Sequence, residues 1–208
     1  MSVVGEANFR RAGHIAIPIG SKTIQMDLPQ PQASSGKFSF WWEVTSASIA
    51  LARFIEENAN WFDNKSAVEL GCGLGVAGIA AGLLGATISF TDYVPEALDA
   101  AQHNAILNGV SNFSAIFLDW EHPNNFGKFD FVLGSEILYD YFYHTQLIRL
   151  IGDILNPNGL VLLADRKRLC VSRFLGRLVQ TGFYCSEFLT SIEMKGFPQQ
   201  DISIFLLK

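Results

Sequence analysis

The sequence predicts an α/β chain built on a doubly wound, mostly parallel sheet with helices on both faces. Three observations carry this. From position 66 onward, short apolar runs alternate with stretches of helical periodicity, the pattern of β-α-β units. A glycine-rich stretch, VELGCGLGVAG at positions 68–78, follows the first of these runs and opens a helical one. The last two apolar runs, YCSEFLTSIE and ISIFLLK, flank only the short loop MKGFPQQ. So short a connection forces antiparallel pairing, because a parallel return needs a crossover of a dozen residues or more.

Ahead of this core, HIAIPIGSKTIQMDLP alternates around a Gly-Ser pair and reads as a hairpin, and PQPQASSGK reads as a loop. Residues 1–37 are thus expected to be a hairpin-and-loop extension, with 38–208 a single folded unit. Thr45 or Ser46 can cap a helix through SASIALARFIEENANWF, where Ile49, Leu51, Ala52 and Ile55 recur near helical spacing. The strand AVEL follows, then the helix GVAGIAAGLLG, the strand TISFTD, the helix VPEALDAAQHNAILNG and the strand FSAIFLD. Next come the strand FDFVLGSEIL, the helix YHTQLIRLIGDIL, a turn at NPNG, the strand LVLLAD and the helix SRFLGRLVQTG.

Composition narrows the function classes. The 208 residues are 49% hydrophobic and 17% charged, which suits one packed domain. Net charge is -5, and the short DRKR at 165–168 is the one basic run, so nucleic acid is not an expected partner. Cys72, Cys170 and Cys185 form no C-x-x-C pair, and their odd number argues against a disulfide framework. A cytoplasmic monomer is expected. No apolar run reaches the ~18 residues of a membrane helix, and the first residues lack the apolar core of a signal peptide. His14, His103, His122 and His144 are scattered with no i, i+4 pair, so no metal is expected.

The glycine loop supports two readings. Gly71, Gly73 and Gly75 form G-x-G-x-G, while Gly73, Gly75 and Gly78 form the G-x-G-x-x-G of dinucleotide folds. Either way, glycine lets backbone pass close to a ligand. A dinucleotide would set its pyrophosphate on the helix N-terminus and its ribose on an acid such as Asp92. S-adenosylmethionine has the ribose without the phosphates. Glu69, at the end of the first strand, would repel a pyrophosphate but attract an ammonium or sulfonium. The antiparallel hairpin at the end departs from an all-parallel dinucleotide domain. Both features favour S-adenosylmethionine.

In FWWEVTSASIALARFI, VELGCGLG, TDYVPEAL, LDW and GSEILYD, taken in that order, the chain resembles the class I, seven-stranded S-adenosylmethionine-dependent methyltransferases. Within them it is similar to the group of protein lysine methyltransferases and nicotinamide N-methyltransferase-like proteins, over roughly residues 38–208. The resemblance implies a Rossmann-like sheet of seven strands. It also implies a cofactor site in which Gly71, Cys72 and Gly73 lie under the methionine part and Asp92, with Tyr93 beside it, grips the ribose. Asp119 and Trp120 would flank the adenine, and the backbone at Ser135 would approach the cofactor. A tryptophan before the first helix matches as well, with Trp42 favoured over Trp41.

The same resemblance gives an acceptor side. Glu136 and Tyr139 fit the D/E-x-x-F/Y motif of the lysine methyltransferases of this group. There an acid could orient an amine and an aromatic could wall the methylated cation. Asp165 could be a second acceptor-side acid, while Arg166, standing where relatives often carry proline, could join Lys167 and Arg168 in meeting an acidic surface on a partner. A protein lysine is the expected acceptor. The alternatives are a small-molecule amine, a cofactor-binding module without transfer, and a nicotinamide dehydrogenase.

Overall fold

A computed structural model describes residues 10–30, 40–123, 127–193 and 198–208. An antiparallel hairpin comes first, β1 (Arg11–Ile19) with β2 (Lys22–Pro29), turning at Gly20 and Ser21. Helix α1 (Ser46–Glu57) follows, capped by the Thr45 hydroxyl, which accepts from Ser48 N at 3.1 Å. The helix stops earlier than periodicity suggests: Asn58 N reaches back to Ile55 O, and Ala59–Trp61 is a 3-10 turn.

Then come β3 (Ser66–Leu70), α2 (Val76–Gly82), β4 (Thr87–Asp92), α3 (Pro95–Leu107), β5 (Phe113–Phe117) and β6 (Phe129–Ser135). The chain continues through α4 (His144–Ile154), β7 (Leu155–Arg166), α5 (Leu169–Gln180), β8 (Cys185–Ile192) and β9 (Gln200–Leu207). The seven strands of the main sheet run β5-β4-β3-β6-β7-β9-β8, with β9 antiparallel to both neighbours and the pairs from β5 to β7 parallel. One correction concerns NPNG: it is a bulge inside β7, where pairing with β6 slips between Phe129 and Phe131 and Asn158 adopts φ 66°. The loop PQPQASSGK and the link MKGFPQQ lie largely outside the described residues.

Strand alternation divides the core in two. On one face Ala67, Leu133, Leu162 and Ile204 pack with α1, α2 and α3; on the other Val68, Leu70, Val132, Leu163 and Phe205 pack with α4 and α5. The hairpin docks on the first group, burying Ile17, Ile19, Ile24 and Met26. Two asparagines one helical turn apart hold it to α3. Asn108 Oδ1 accepts from Gln25 N at 2.8 Å, and its Nδ2 donates to Gln25 O at 2.7 Å. Asn104 Oδ1 accepts from Asp27 N at 2.9 Å. Four residues of helix rise about as far as two of strand, so the pair meets alternate β2 backbone groups as a neighbouring strand would.

The histidines that look scattered in sequence partly converge here. His14 Nδ1 lies 2.7 Å from Asp27 Oδ1 and His103 Nε2 lies 2.9 Å from Asp27 Oδ2, with Arg11 Nε 3.1 Å from Oδ1. Among the described residues, no helix is long and apolar enough to cross a membrane.

Candidate active site

Strand order reverses at β3 and β6, and in open α/β sheets a crevice opens at such a point, beyond the carboxyl ends of the strands. Because β3 to β7 run parallel, that edge gathers the glycine loop, Asp92 with Tyr93, Asp119 with Trp120, Ser135 to Tyr139, and Asp165 to Arg168.

The glycine loop is fixed by its own backbone. Cys72 N donates to Thr91 O at 2.9 Å, and Gly75 N donates to Cys72 O at 2.7 Å. Gly71 and Gly73 take φ 60° and 50°, which a side chain resists. Space forbids one as well: a Cβ at Gly73 would lie 2.9 Å from the Trp41 carbonyl oxygen, and one at Gly71 would lie 2.9 Å from Ile137 Cγ2. The segment containing Trp41 and Trp42 therefore crosses over the loop. Trp41 packs on the core and meets Trp42 edge to face, their ring centroids 6.0 Å apart.

Beneath the loop, Glu69 is buried, and its Oε2 accepts from Gly78 N at 2.8 Å, in the first turn of α2. A helix N-terminus is where a pyrophosphate would sit. Here the chain's own Glu69 side chain fills it, and its burial beneath the loop corrects the expectation that its charge faces an ammonium or sulfonium. Burial pushes Glu69 up to about 8, against the pull of the Gly78 and Ala77 amides. A Cβ at Gly78 would come within 2.8 Å of that same oxygen, so the third glycine of the dinucleotide-like spacing serves helix-to-strand packing.

Asp92 ends β4, buried, with Oδ2 accepting from Gly73 N at 3.1 Å and Oδ1 from Val94 N at 3.0 Å. Burial raises its carboxyl, opposed by those amides. Burial likewise holds the Cys72 thiol well above its usual range, which keeps it unreactive. Asp119 is partly exposed and accepts from Glu121 N at 2.9 Å, a contact that holds its carboxyl low. Trp120 packs edge to face on Tyr143 at 5.8 Å and lies against Gly71. Tyr93 and Tyr139 are half exposed, their phenols raised by burial first and then by nearby groups, Asp92 among them. Loop, aspartate and aromatics thus form one lining.

Across the crevice the materials change. Ser135 closes β6 beside Ala164, and Glu136 N donates to Ala164 O at 2.9 Å. Glu136 itself sits at φ 54°, a left-handed conformation that costs a glutamate about 1–3 kcal/mol and clusters at functional sites. Its Oε2 accepts from Arg166 Nη2 at 2.8 Å and from Arg168 Nη2 at 2.7 Å. Arg168 also donates from Nε and Nη2 to Asp165 Oδ1, at 2.9 and 2.5 Å. Asp165 is fully buried and raised to about 6, chiefly by that burial. Of the three cations that could meet an acidic surface on a partner, Arg166 and Arg168 instead pair with acids of this chain, Glu136 and Asp165. An acid three residues before Arg168 is the sequence signal, but the Glu136 partner follows only from the pairing of β6 with β7.

Among the described residues, no group of three or more His, Cys, Asp and Glu could hold a metal ion. A family model described as lysine methyltransferase matches residues 30–181. The protein N-lysine methyltransferase METTL21A of Mus musculus is 34% identical over 132 residues, 60% of each chain. The histidine protein methyltransferase 1 homolog of Dictyostelium discoideum is 30% identical over 142 residues, 65% of this chain and 45% of its own. The chain thus spans about half the length of such relatives. The ribosomal protein L11 methylase of Lactobacillus delbrueckii subsp. bulgaricus has the same fold, with a TM-score of 0.66 at 21% identity over 92% of this chain and 97% of that one.

Proposed function

The chain belongs to the lysine methyltransferase family, and on that premise we propose that it transfers a methyl group from S-adenosylmethionine to a lysine side chain on a protein. One observation carries the choice of cofactor: Glu69 occupies the α2 N-terminus that a dinucleotide's phosphates would need, while Asp92 stands at the end of β4 for a ribose. The residues present fit the group. Gly71, Cys72 and Gly73 would lie under its methionine part, Asp92 and Tyr93 at its ribose, and Asp119 and Trp120 at its adenine. Ser135 and Trp42 would complete the enclosure.

When bound, S-adenosylmethionine supplies an electrophilic methyl carbon: the amine lone pair bonds to it as its bond to sulfur breaks, leaving a thioether and a methylated ammonium. The chain's part is alignment and the exclusion of water. Glu136 orients the neutral amine by accepting its hydrogen bond. Tyr139 offers a π face that favours the cationic product. Trp120 is braced for its place at the adenine by edge-to-face packing on Tyr143.

Isothermal titration with S-adenosylhomocysteine, run beside Asp92→Ala, tests the reading, together with tritium transfer from labelled S-adenosylmethionine into lysate protein. Binding that the variant loses, with label recovered in lysine, is the expected result. Label in small molecules alone would move the acceptor to a metabolite amine. Binding by neither protein would sink the assignment.

A further inference from the structure

We infer that Arg168 is a positioning residue for Glu136, clamping one carboxylate oxygen so that the other is presented to the acceptor amine. The inference rests on the proposed role of Glu136 in orienting that amine.

Glu136 Oε2 takes both guanidinium contacts, from Arg168 at 2.7 Å and Arg166 at 2.8 Å, while Oε1 accepts from nothing among the described residues. The two oxygens are therefore unequal. One is tied to the protein and the other is left to accept.

Arg168 is itself held from behind. Its Nε and Nη2 both reach Asp165 Oδ1, and Asp165 is fully buried at the end of β7. The other oxygen of that aspartate, Oδ2, is buried with no hydrogen-bond partner among the described residues, and Arg168 is the cation paired with this acid there. The Arg168 carbonyl accepts from Val171 N and Ser172 N as α5 begins, which fixes the backbone beneath the guanidinium. Arg166 differs. Its side chain is half exposed, and among the described residues its one ion pair is to Glu136, so it adds charge without a second anchor there.

Only a forked, planar cation can join two carboxylates in this way; a lysine ammonium is a point charge on a flexible stem. The chain of contacts runs from Asp165 through Arg168 to Glu136, and it supports a backbone conformation at Glu136 that a glutamate does not choose unaided. The guanidinium pair has a second effect. By offsetting the negative charge of Glu136, which alone would favour an ammonium beside it, the two cations let the amine lose its proton at lower pH.

The test compares Arg168→Lys and Arg168→Met with wild type and with Glu136→Ala. The readout is the initial rate of tritium transfer into the protein that the wild type labels in a lysate, at saturating cofactor and across pH. Misalignment near a reacting centre can cost on the order of 100-fold. Arg168→Met is expected to lose on the order of that factor and Arg168→Lys about tenfold, with S-adenosylhomocysteine affinity unchanged. The rising limb of rate against pH, set by discharge of the acceptor amine, is expected to move to higher pH in Arg168→Met. A merely structural arginine would lower thermal stability and leave that limb in place.

Arg168→Lys at the wild-type rate, or an unmoved limb in Arg168→Met, beside an inactive Glu136→Ala, would overturn the inference and leave the proposed function standing. Glu136→Ala as fast as wild type would overturn the role of Glu136 and the inference with it, and so would a wild type that labels no protein.

Discussion

The two sides of the crevice meet at β3 and β6 and are made of different materials. The side after β3 and β4 is backbone: glycines at positive φ, amides donating to Asp92 and Glu69, and a tryptophan carbonyl pressed against Gly73. The side after β6 and β7 is side chain: two acids and two guanidiniums, with half-exposed tyrosine nearby. A ligand that never changes can be met by backbone, whose geometry tolerates little substitution. An acceptor that differs between relatives calls for side chains, which can be exchanged without rebuilding the sheet. The named relatives fit this division, one being a lysine and another a histidine methyltransferase by name.

The sharpest way to break the comparison is Gly73→Ala. An added Cβ must take φ 50° and approach the Trp41 carbonyl at 2.9 Å. Left-handed backbone alone costs a non-glycine residue about 1–2 kcal/mol. With the contact added, S-adenosylhomocysteine affinity is expected to fall on the order of 100-fold, about 2.8 kcal/mol. Titration of a variant whose circular dichroism matches wild type checks it, and undiminished binding would show that the backbone side is not a cofactor cradle.

Glu136→Gln probes the other side with a smaller effect. It keeps the size of the side chain but weakens both guanidinium contacts, so turnover is expected to drop roughly tenfold while cofactor affinity stays put. A change in affinity without a change in turnover would reverse the roles given to the two sides.

The smallest expected effect is a pH slope from Glu69. Its folded value of about 8 lies above its ordinary 4.5, so folding favours the protonated form. The stability this group contributes is present in full below about pH 4.5 and is lost as pH rises through about 8. Glu69→Gln stays neutral throughout. The fall in melting temperature between pH 5 and pH 8 should therefore be shallower in the variant. Equal slopes would mean that the α2 N-terminus holds Glu69 ionised.

Much of the side proposed to hold the cofactor is legible in the sequence because its determinants are local. Glycine spacing and the turn into a helix lie within a dozen residues, and the acid at the end of the next strand, Asp92, follows about twenty residues on. The role of Glu69 beneath the loop is less so, since its partner amide, Gly78 N, depends on how α2 packs over β3. On the proposed acceptor side the motif is readable but its wiring is not. Glu136 and Arg168 are brought together by the parallel register of β6 and β7, in which Ser135 stands beside Ala164. Arg166 looks like an outward-facing cation in the one-dimensional pattern, and the same register turns it inward.

By itself the sequence determined the order of strands and helices, the antiparallel end of the sheet and the glycine loop, because periodicity, loop length and the conformational freedom of glycine act over neighbouring residues. Only the tertiary structure decided which charges neutralise one another. It also set Asn104 and Asn108 on the hairpin and turned His14 and His103 to Asp27. Those partners stand from 13 to 83 residues apart along the chain, and no local pattern encodes a distance that the packing of whole elements must close.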